Sequence, residues 1–541
     1  MSDQQPTTHL SAGSDEGPRD PEHDPAAVLA LEPDYVDRLT ARILATSGET
    51  SEVRSPISGA TLAHIPQSSE ADIVEAFARA RRAQESWART PFKTRQALLL
   101  RLHDLVLERQ AEIMDLIVLE SGKARKHAFD EPLHIALTAR YYGRTLGDHL
   151  RTERTPGVFP VLTRVEINHV PKGVVGIISP WNYPFTLALC DGLAAIAAGN
   201  AVVTKPDAQT MLTALLGAEL LEQAGLPKDL WTVVAGEGSV AGPSIIAKAD
   251  YICFTGSTAT GKRVAQGCAE RLIGCSLELG GKNPMLVLAD ADLDRAVEGA
   301  VRAVYSNSGQ LCVSIERLYV ADAIYDRFME RFTSRVQAMA LGAGLEWEID
   351  MGSLISQQQV DNATAHVEDA VAKGARLRTG GVARTDLAPY FFEPTILEQV
   401  TPEMDVFAHE TFGPVVSVYR FTDEADAVAR ANQGEYGLNA SVWTRDTARG
   451  RRIARQIKAG SVNVNESFAA SFASLAAPMG GMRESGMGRR QGREGILRYT
   501  ESQTVATERL ANIEPMFGMS DETWAKVMTV SLKALKKTGR A

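Results

Sequence analysis

Cys312 stands in "SNSGQLCVS", behind a run of small, flexible residues. A thiol there suits four roles: apolar filler, metal ligand, disulfide partner or nucleophile. The chain has five cysteines, Cys190, Cys253, Cys268, Cys275 and Cys312. The odd count and low density speak against a secreted disulfide scaffold. No Cys-x-x-Cys pair or Cys/His cluster has zinc spacing, so no metal is expected. Filler and nucleophile remain, and a nucleophile needs partners.

Glu278 lies in "SLELGGKNP", an apolar strand-like run ending in two glycines. A carboxylate there is costly unless paired, protonated or functional. A raised pKa suits a general base; structural pairing is the rival explanation. In "SPWNYPF", two prolines fix the backbone around Trp181, Asn182 and Tyr183. The Asn182 amide could donate to a developing oxyanion or bond its own turn. In "FTGSTATG", Gly256 and Gly261 permit a tight turn and close backbone approach. Ser257 and the helix N–H groups behind it could hold a pyrophosphate. Thr258 replaces the second glycine of the usual dinucleotide fingerprint, so a structural turn explains the motif equally well. In "AHETFGPV", Glu410 could bond sugar hydroxyls and Phe412 could stack on a flat cofactor; core or surface places serve both as well.

The elements that position these residues read as α/β. "SEADIVEAFARARRAQESWA" opens with a Ser69-x-x-Asp72 capping signal and continues with helical periodicity. "VLTRVEINHV" alternates as a half-exposed strand does. From "KGVVGIISP" onward, short apolar strands alternate with helices, predicting a doubly wound parallel sheet with a ligand at its carboxyl ends. A second α/β set begins at "NPMLVLADADLDRAVEGAVRAVY", with a boundary near Gly280-Gly281. The C-terminal "SDETWAKVMTVSLKALKK" predicts a capped helix docked on the body.

The 541 residues are 44% hydrophobic and 23% charged, which suits a globular protein of two or three domains. A net charge of -10 argues against a general nucleic-acid binder. Residues 1–30 are polar and acidic, without the apolar core of a signal peptide, and predict a disordered tail. No apolar run spans a bilayer. A cytoplasmic protein without a membrane partner is expected.

The order and spacing of "PWNYPF", "TKP", "FTGS", "LELGGKNP", "GQLC", "ETFGP", "NVNES" and "PMGGMRESGMGR" resemble the aldehyde dehydrogenase superfamily, from about Val53 to Thr507. The resemblance implies a Rossmann-type cofactor domain (31–152 and 172–280) and an α/β catalytic domain (281–482). It also implies oligomerisation strands (153–171 and 498–508), a C-terminal extension (509–541) and a homodimer or homotetramer. It makes Cys312 the nucleophile on a small-molecule aldehyde, Asn182 the oxyanion donor and Glu278 the base that hydrolyses the thioester. Glu278 also sets the chain apart from the coenzyme-A-acylating branch. Lys205 would bind the adenine-side ribose, Ser257 the pyrophosphate and Glu410 the nicotinamide ribose. Trp181, Gly256, Gly261 and Phe412 complete the cofactor site.

The NAD-preferring pattern places an acid three residues after the lysine; here that residue is Ala208, which favours NADP, or use of both. Asp207 beside it could repel the same phosphate. Within the family, "GQLCVSIERLYV", "AAPMGGM" and "YTESQT" resemble actinobacterial succinate-semialdehyde dehydrogenases. Better-characterised members clamp the substrate carboxylate with two arginines, where this chain has Cys190 and Ser306. Ser467, Ser471 and Ser474 of "NESFAASFASLAAP" could bond a carboxylate instead, while Phe468 and Phe472 suit an apolar aliphatic or aromatic aldehyde. Ser314 removes the second cysteine that gives some relatives a disulfide switch. A catalytically silent binding protein and a cofactor-independent esterase are the competing functional classes.

Overall fold

The computed structural model describes residues 10–12, 29–157, 163–508 and 514–538. Most of the expected tail lies outside these; Leu10–Ala12 pairs antiparallel with Leu29–Leu31.

A six-stranded sheet runs in the order Gly486–Met487, Gly274–Glu278, Tyr251–Thr255, Val174–Ile178, Ala201–Lys205, Trp231–Val233. All neighbours are parallel except Gly486–Met487, which pairs antiparallel with Gly274–Glu278. The chain winds outward from Val174–Ile178 through Ala201–Lys205 to Trp231–Val233. It then returns to Tyr251–Thr255 on the other side. The winding therefore reverses between Val174–Ile178 and Tyr251–Thr255, where open parallel sheets form a crevice at their carboxyl ends.

A second sheet has the order Arg376–Thr379, Thr395–Glu398, Val415–Phe421, Ile315–Ala321, Asn283–Val287, Asn439–Trp443, Ser461–Val464. It is parallel except for Arg376–Thr379. Strands such as Ala201–Lys205, Asn283–Val287 and Asn439–Trp443 are buried along their whole length. Their apolar stretches, such as Ala201–Val203 and Met285–Val287, follow from burial on both faces. Only Leu279 to Lys282 separate the last parallel strand of the first sheet from the first strand of the second.

The helices follow local signals. Ser69 and Asp72 form the expected capping box at Glu70–Trp87, with Asp72 N–H donating to Ser69 Oγ at 3.1 Å and Ser69 N–H to Asp72 Oδ2 at 2.8 Å. Asp292 caps Leu293–Tyr305 with a single bond, its side chain accepting the Arg295 N–H.

Thr163–Pro171 is the middle strand of a three-stranded antiparallel sheet, between Thr500–Glu508 and Glu153–Pro156. Thr500–Glu508 is an edge strand, and its residues from Glu501 onward are exposed.

The C-terminal helix Asp521–Thr538 forms, but Val530 and Leu532 are 66% and 62% exposed rather than docked. Its determinants are local, acids in the first turn and lysines in the last. They specify a helix without specifying a surface to cover. Among the described residues no helix is long and apolar enough to cross a membrane.

Candidate active site

The two sheets meet around a cavity of about 290 Å³. The first sheet contributes segments that follow its strands' carboxyl ends: Trp181 and Asn182 after Val174–Ile178, Gly256 and Ser257 after Tyr251–Thr255, and Glu278 itself. The second contributes segments that precede its strands: Cys312 before Ile315–Ala321, and Glu410 and Phe412 before Val415–Phe421.

Cys312 is held by an unusual loop. Asn307, Ser308 and Gly309 all have positive φ, at 51°, 55° and 74°. Such a run costs energy and persists only where its surroundings fix it. Asn307 Nδ2 donates to the carbonyls of Asn182 (3.0 Å) and Gln310 (2.9 Å), and Ser308 Oγ to Gly352 O at 2.8 Å. Gly309 cannot be replaced, because a Cβ there would stand 2.1 Å from the Gly413 carbonyl oxygen. Behind the thiol, Asn283 Nδ2 donates to the carbonyls of Cys312 (2.8 Å) and Ser314 (2.7 Å). Ser314 Oγ bonds the end of helix Leu293–Tyr305, at Ala303 and Val304. Burial pushes the Cys312 thiol up to about 12, with the Glu278 carboxylate adding to the rise and Arg490 opposing it.

Asn182 donates one Nδ2 hydrogen to Gln310 O at 3.0 Å. Its second amide hydrogen has no partner among the described residues, and the residue lines the cavity. Glu278 is 6% exposed, and its Oε1 has no hydrogen-bond partner among the described residues. Burial raises its pKa to about 7, against Arg490 and with Asp191. The pairing that a structural carboxylate would need is missing at that oxygen.

Glu410 accepts the Gly281 N–H at 2.7 Å. Burial and the charge of Glu316 push it up to about 8. Glu316 is salt-bridged to Lys282 and accepts the N–H groups of Thr411 and Phe412, which holds Phe412 at φ 52°. Phe412 meets Trp181 edge to face, with ring centroids 5.5 Å apart.

A family model described as "Aldehyde dehydrogenase family" matches residues 43–505. A protein of Mycolicibacterium smegmatis named "Putative succinate-semialdehyde dehydrogenase [NADP(+)]" is 50% identical over 489 residues, covering 90% of this chain and 95% of that one. The chain belongs to the aldehyde dehydrogenase family. Among solved structures, an Escherichia coli "NADP dependent enzyme" superposes with a TM-score of 0.82 at 35% identity, covering 86% of this chain and 96% of the other. An NAD+ complex of an aldehyde dehydrogenase from Bacillus cereus gives 0.83 at 34%, covering 88% and 99%.

The cavity suits the family's nicotinamide cofactor. Gly280 leaves open space before Glu410 that a Cβ would fill, 2.5 Å from Oε2. Ser257 caps helix Thr258–Glu270, so that helix's N–H groups open beside the cavity. Gly261 acts indirectly: a Cβ there would stand 2.4 Å from Leu279, which lines the cavity. Lys205 and Ala208 lie outside the cavity lining. Lys205 ends strand Ala201–Lys205, and burial lowers its pKa against the charges of Asp207 and Glu237. The Asp207 carboxylate accepts the Gln209 N–H at 3.0 Å, within its own turn.

Phe468 is buried with Tyr183, Leu187 and Met479 in an apolar cluster, against which Cys312 and Phe472 pack. Ser471 lies beside it, but its Oγ donates to Phe468 O at 3.1 Å. Ser467 and Ser474 likewise donate to backbone carbonyls, of Gly299 (2.7 Å) and Ala470 (2.5 Å). Cys190 and Ser306 are both buried.

Sequence reasoning missed Gln359 and Asn362, which also line the cavity. They sit three apart near the start of helix Gln357–Ala372, a spacing that puts both amides on one face. It also missed Arg490 and Arg498, which both pair with Asp191 behind Glu278. Among the described residues no cluster of three His, Cys, Asp or Glu could hold a metal.

Proposed function

We propose that this chain oxidises succinic semialdehyde to succinate, with NADP preferred over NAD. One observation carries the reaction type: Glu278 presents an unpartnered carboxylate oxygen, with a pKa of about 7, in the cavity that Cys312 and Asn182 line.

In this reading Cys312 attacks the aldehyde carbon as the thiolate, and the carbonyl electrons move to oxygen. The free Asn182 amide hydrogen bonds that oxyanion. The thiol starts protonated, since burial holds it up at about 12. Its proton passes to water before the attack, so Glu278 stays a carboxylate for the second step. The cofactor, when bound, supplies a cationic ring and accepts the hydride. Collapse of the oxyanion releases that hydride and leaves a thioester on Cys312. Glu278, as carboxylate, then takes a proton from water as the water oxygen attacks the thioester. The acid leaves and Cys312 returns as thiolate.

Ala208, the inward turn of Asp207 and the name of the mycobacterial relative support NADP. That name also supports succinic semialdehyde. The second reading, an apolar aldehyde, draws on the buried Phe468 cluster and on three serines whose hydroxyls serve backbone carbonyls. Steady-state oxidation of succinic semialdehyde, butanal and benzaldehyde, each with NADP and NAD, separates the readings. A higher kcat/KM for butanal or benzaldehyde overturns the substrate. Ester cleavage without any reduced cofactor from any aldehyde overturns the reaction, and no turnover of any kind leaves a binding protein.

The exposed edge of Thr500–Glu508 supports assembly as a homodimer or dimer of dimers. Light scattering on the eluting protein tests this, and a monomer at micromolar concentration overturns it.

A further inference from the structure

Arg302 stands in the last turn of helix Leu293–Tyr305, one turn before Ser306. Ser306 spends its hydroxyl on the Arg302 carbonyl, at 2.7 Å. It therefore offers no proton to a substrate at the place where an arginine clamp is expected. Residues four apart share a helix face, so Arg302 supplies a cation on the same side.

The Arg302 guanidinium lies 5.5 Å from the centre of the Phe468 ring. Phe468 belongs to the apolar cluster against which Cys312 packs. The Arg302 side chain is half exposed. Arg302 lines a recess shared with Ser306, distinct from the cavity that Cys312 lines, and both residues contact the Phe468 cluster.

The donors of Arg302 are unspent. Its guanidinium makes no hydrogen bond among the described residues, and its ion pair with Glu466 is 3.8 Å long, beyond hydrogen-bond reach. Glu466 is occupied at its other oxygen, which accepts the Ala470 N–H at 2.6 Å. Glu298, one turn back, pairs with Arg335 at 3.0 Å, and Asp130 faces the same recess as Arg302.

A second unpartnered donor lies in the same cluster. Tyr183 is 4% exposed and belongs to the same cluster, and its hydroxyl has no hydrogen-bond partner among the described residues. Burial and the acids Asp130 and Glu131 keep the phenol protonated, and both Cys312 and Arg302 are near enough to act on it. A guanidinium offers a planar fork that matches a carboxylate, and a phenol adds one donor.

We infer that Arg302 and the Tyr183 hydroxyl recognise the anionic end of a short aldehyde that carries an acid group at its far end. They take the place of the clamp that Cys190 and Ser306 cannot form. This rests on the acid-aldehyde reading proposed above.

The test compares succinic semialdehyde with butanal in the wild type, Arg302→Ala, Arg302→Lys and Tyr183→Phe, with melting temperature as the check on folding. Arg302→Ala raises KM for succinic semialdehyde about 10- to 100-fold while kcat changes far less, and the selectivity over butanal falls by the same factor. Arg302→Lys recovers part of it, because charge survives without the fork. Tyr183→Phe raises the same KM about fivefold. Equal losses on both aldehydes, or a KM for the acid-aldehyde within about threefold of wild type in Arg302→Ala, overturn the inference. A wild type that prefers butanal overturns the substrate reading and this inference together. A preference for the acid-aldehyde that survives in Arg302→Ala overturns this inference alone.

Discussion

Lys123 Nζ donates to Glu131 Oε1 at 2.7 Å, and neither side chain is exposed to solvent. The same ammonium donates to the Asn182 carbonyl at 2.7 Å. Glu131 Oε2 accepts the N–H groups of Phe185 and Thr186, at 2.9 Å each, at the start of helix Pro184–Ala197. The pair thus fixes both flanks of the turn that carries Asn182. Burial pulls the Lys123 pKa down and pushes Glu131 up, and each charge opposes the shift of the other.

Lys123→Met leaves Glu131 buried without its partner, which costs about 3–5 kcal/mol of stability. Urea unfolding measures the loss. Lys123→Met/Glu131→Gln recovers part of it, because the uncompensated charge is gone. A single variant as stable as wild type excludes this role for the pair.

In the proposed reaction Glu278 sets a pH dependence. Its carboxylate, not its acid form, accepts a proton from water. With burial raising its pKa to about 7, thioester hydrolysis rises as pH increases through that value and levels off above it. Glu278→Gln keeps the first step and stalls the second. One equivalent of reduced cofactor per active site appears in a rapid burst, followed by little turnover. A variant with wild-type steady-state turnover, or the same rise through pH 7, removes Glu278 from hydrolysis.

Gly280 and Glu410 are coupled sterically. A Cβ at Gly280 would stand 2.5 Å from Glu410 Oε2, so Gly280→Ala must displace the carboxylate from its bond to Gly281. The expected result is a Kd for NADP raised about tenfold, read by quenching of protein fluorescence. An unchanged Kd shows that Glu410 does not hold the cofactor.

How far the sequence reached follows from the range of each interaction. The Ser69–Asp72 box and the strand at 163–171 were legible because cap and alternation are local signals. So was the gathering of Asn182, Ser257 and Glu278, since each follows a parallel strand and such strands end on one edge. The buried pairs were not legible. Arg490 reaches Asp191 across 299 residues, and Lys282 finds Glu316 on a different strand. Nor was the left-handed Asn307–Gly309 run, which depends on Asn182, Gln310 and Gly352 for its bonds. The expected serine contacts with a substrate read hydroxyls without knowing which carbonyls would claim them.

The proposed preference for NADP rests on three neighbouring residues. Lys205 is buried at its strand end, with burial lowering its pKa and the charges of Asp207 and Glu237 opposing that. Asp207 accepts the Gln209 N–H, which directs its carboxylate into its own turn. Ala208 begins the short helix Ala208–Thr210 and carries no charge. An acid at 208 would accept hydrogen bonds from both ribose hydroxyls of NAD and repel the 2′-phosphate of NADP. Ala208→Glu is therefore expected to lower kcat/KM for NADP by about 10- to 100-fold and to leave NAD equal or improved. Asp207→Asn supplies the opposite control: it removes a charge near Lys205 without adding one at 208, so NADP is retained. Initial rates with both cofactors at saturating aldehyde check the pair. If Ala208→Glu uses NADP as well as the wild type does, the phosphate is held away from this turn.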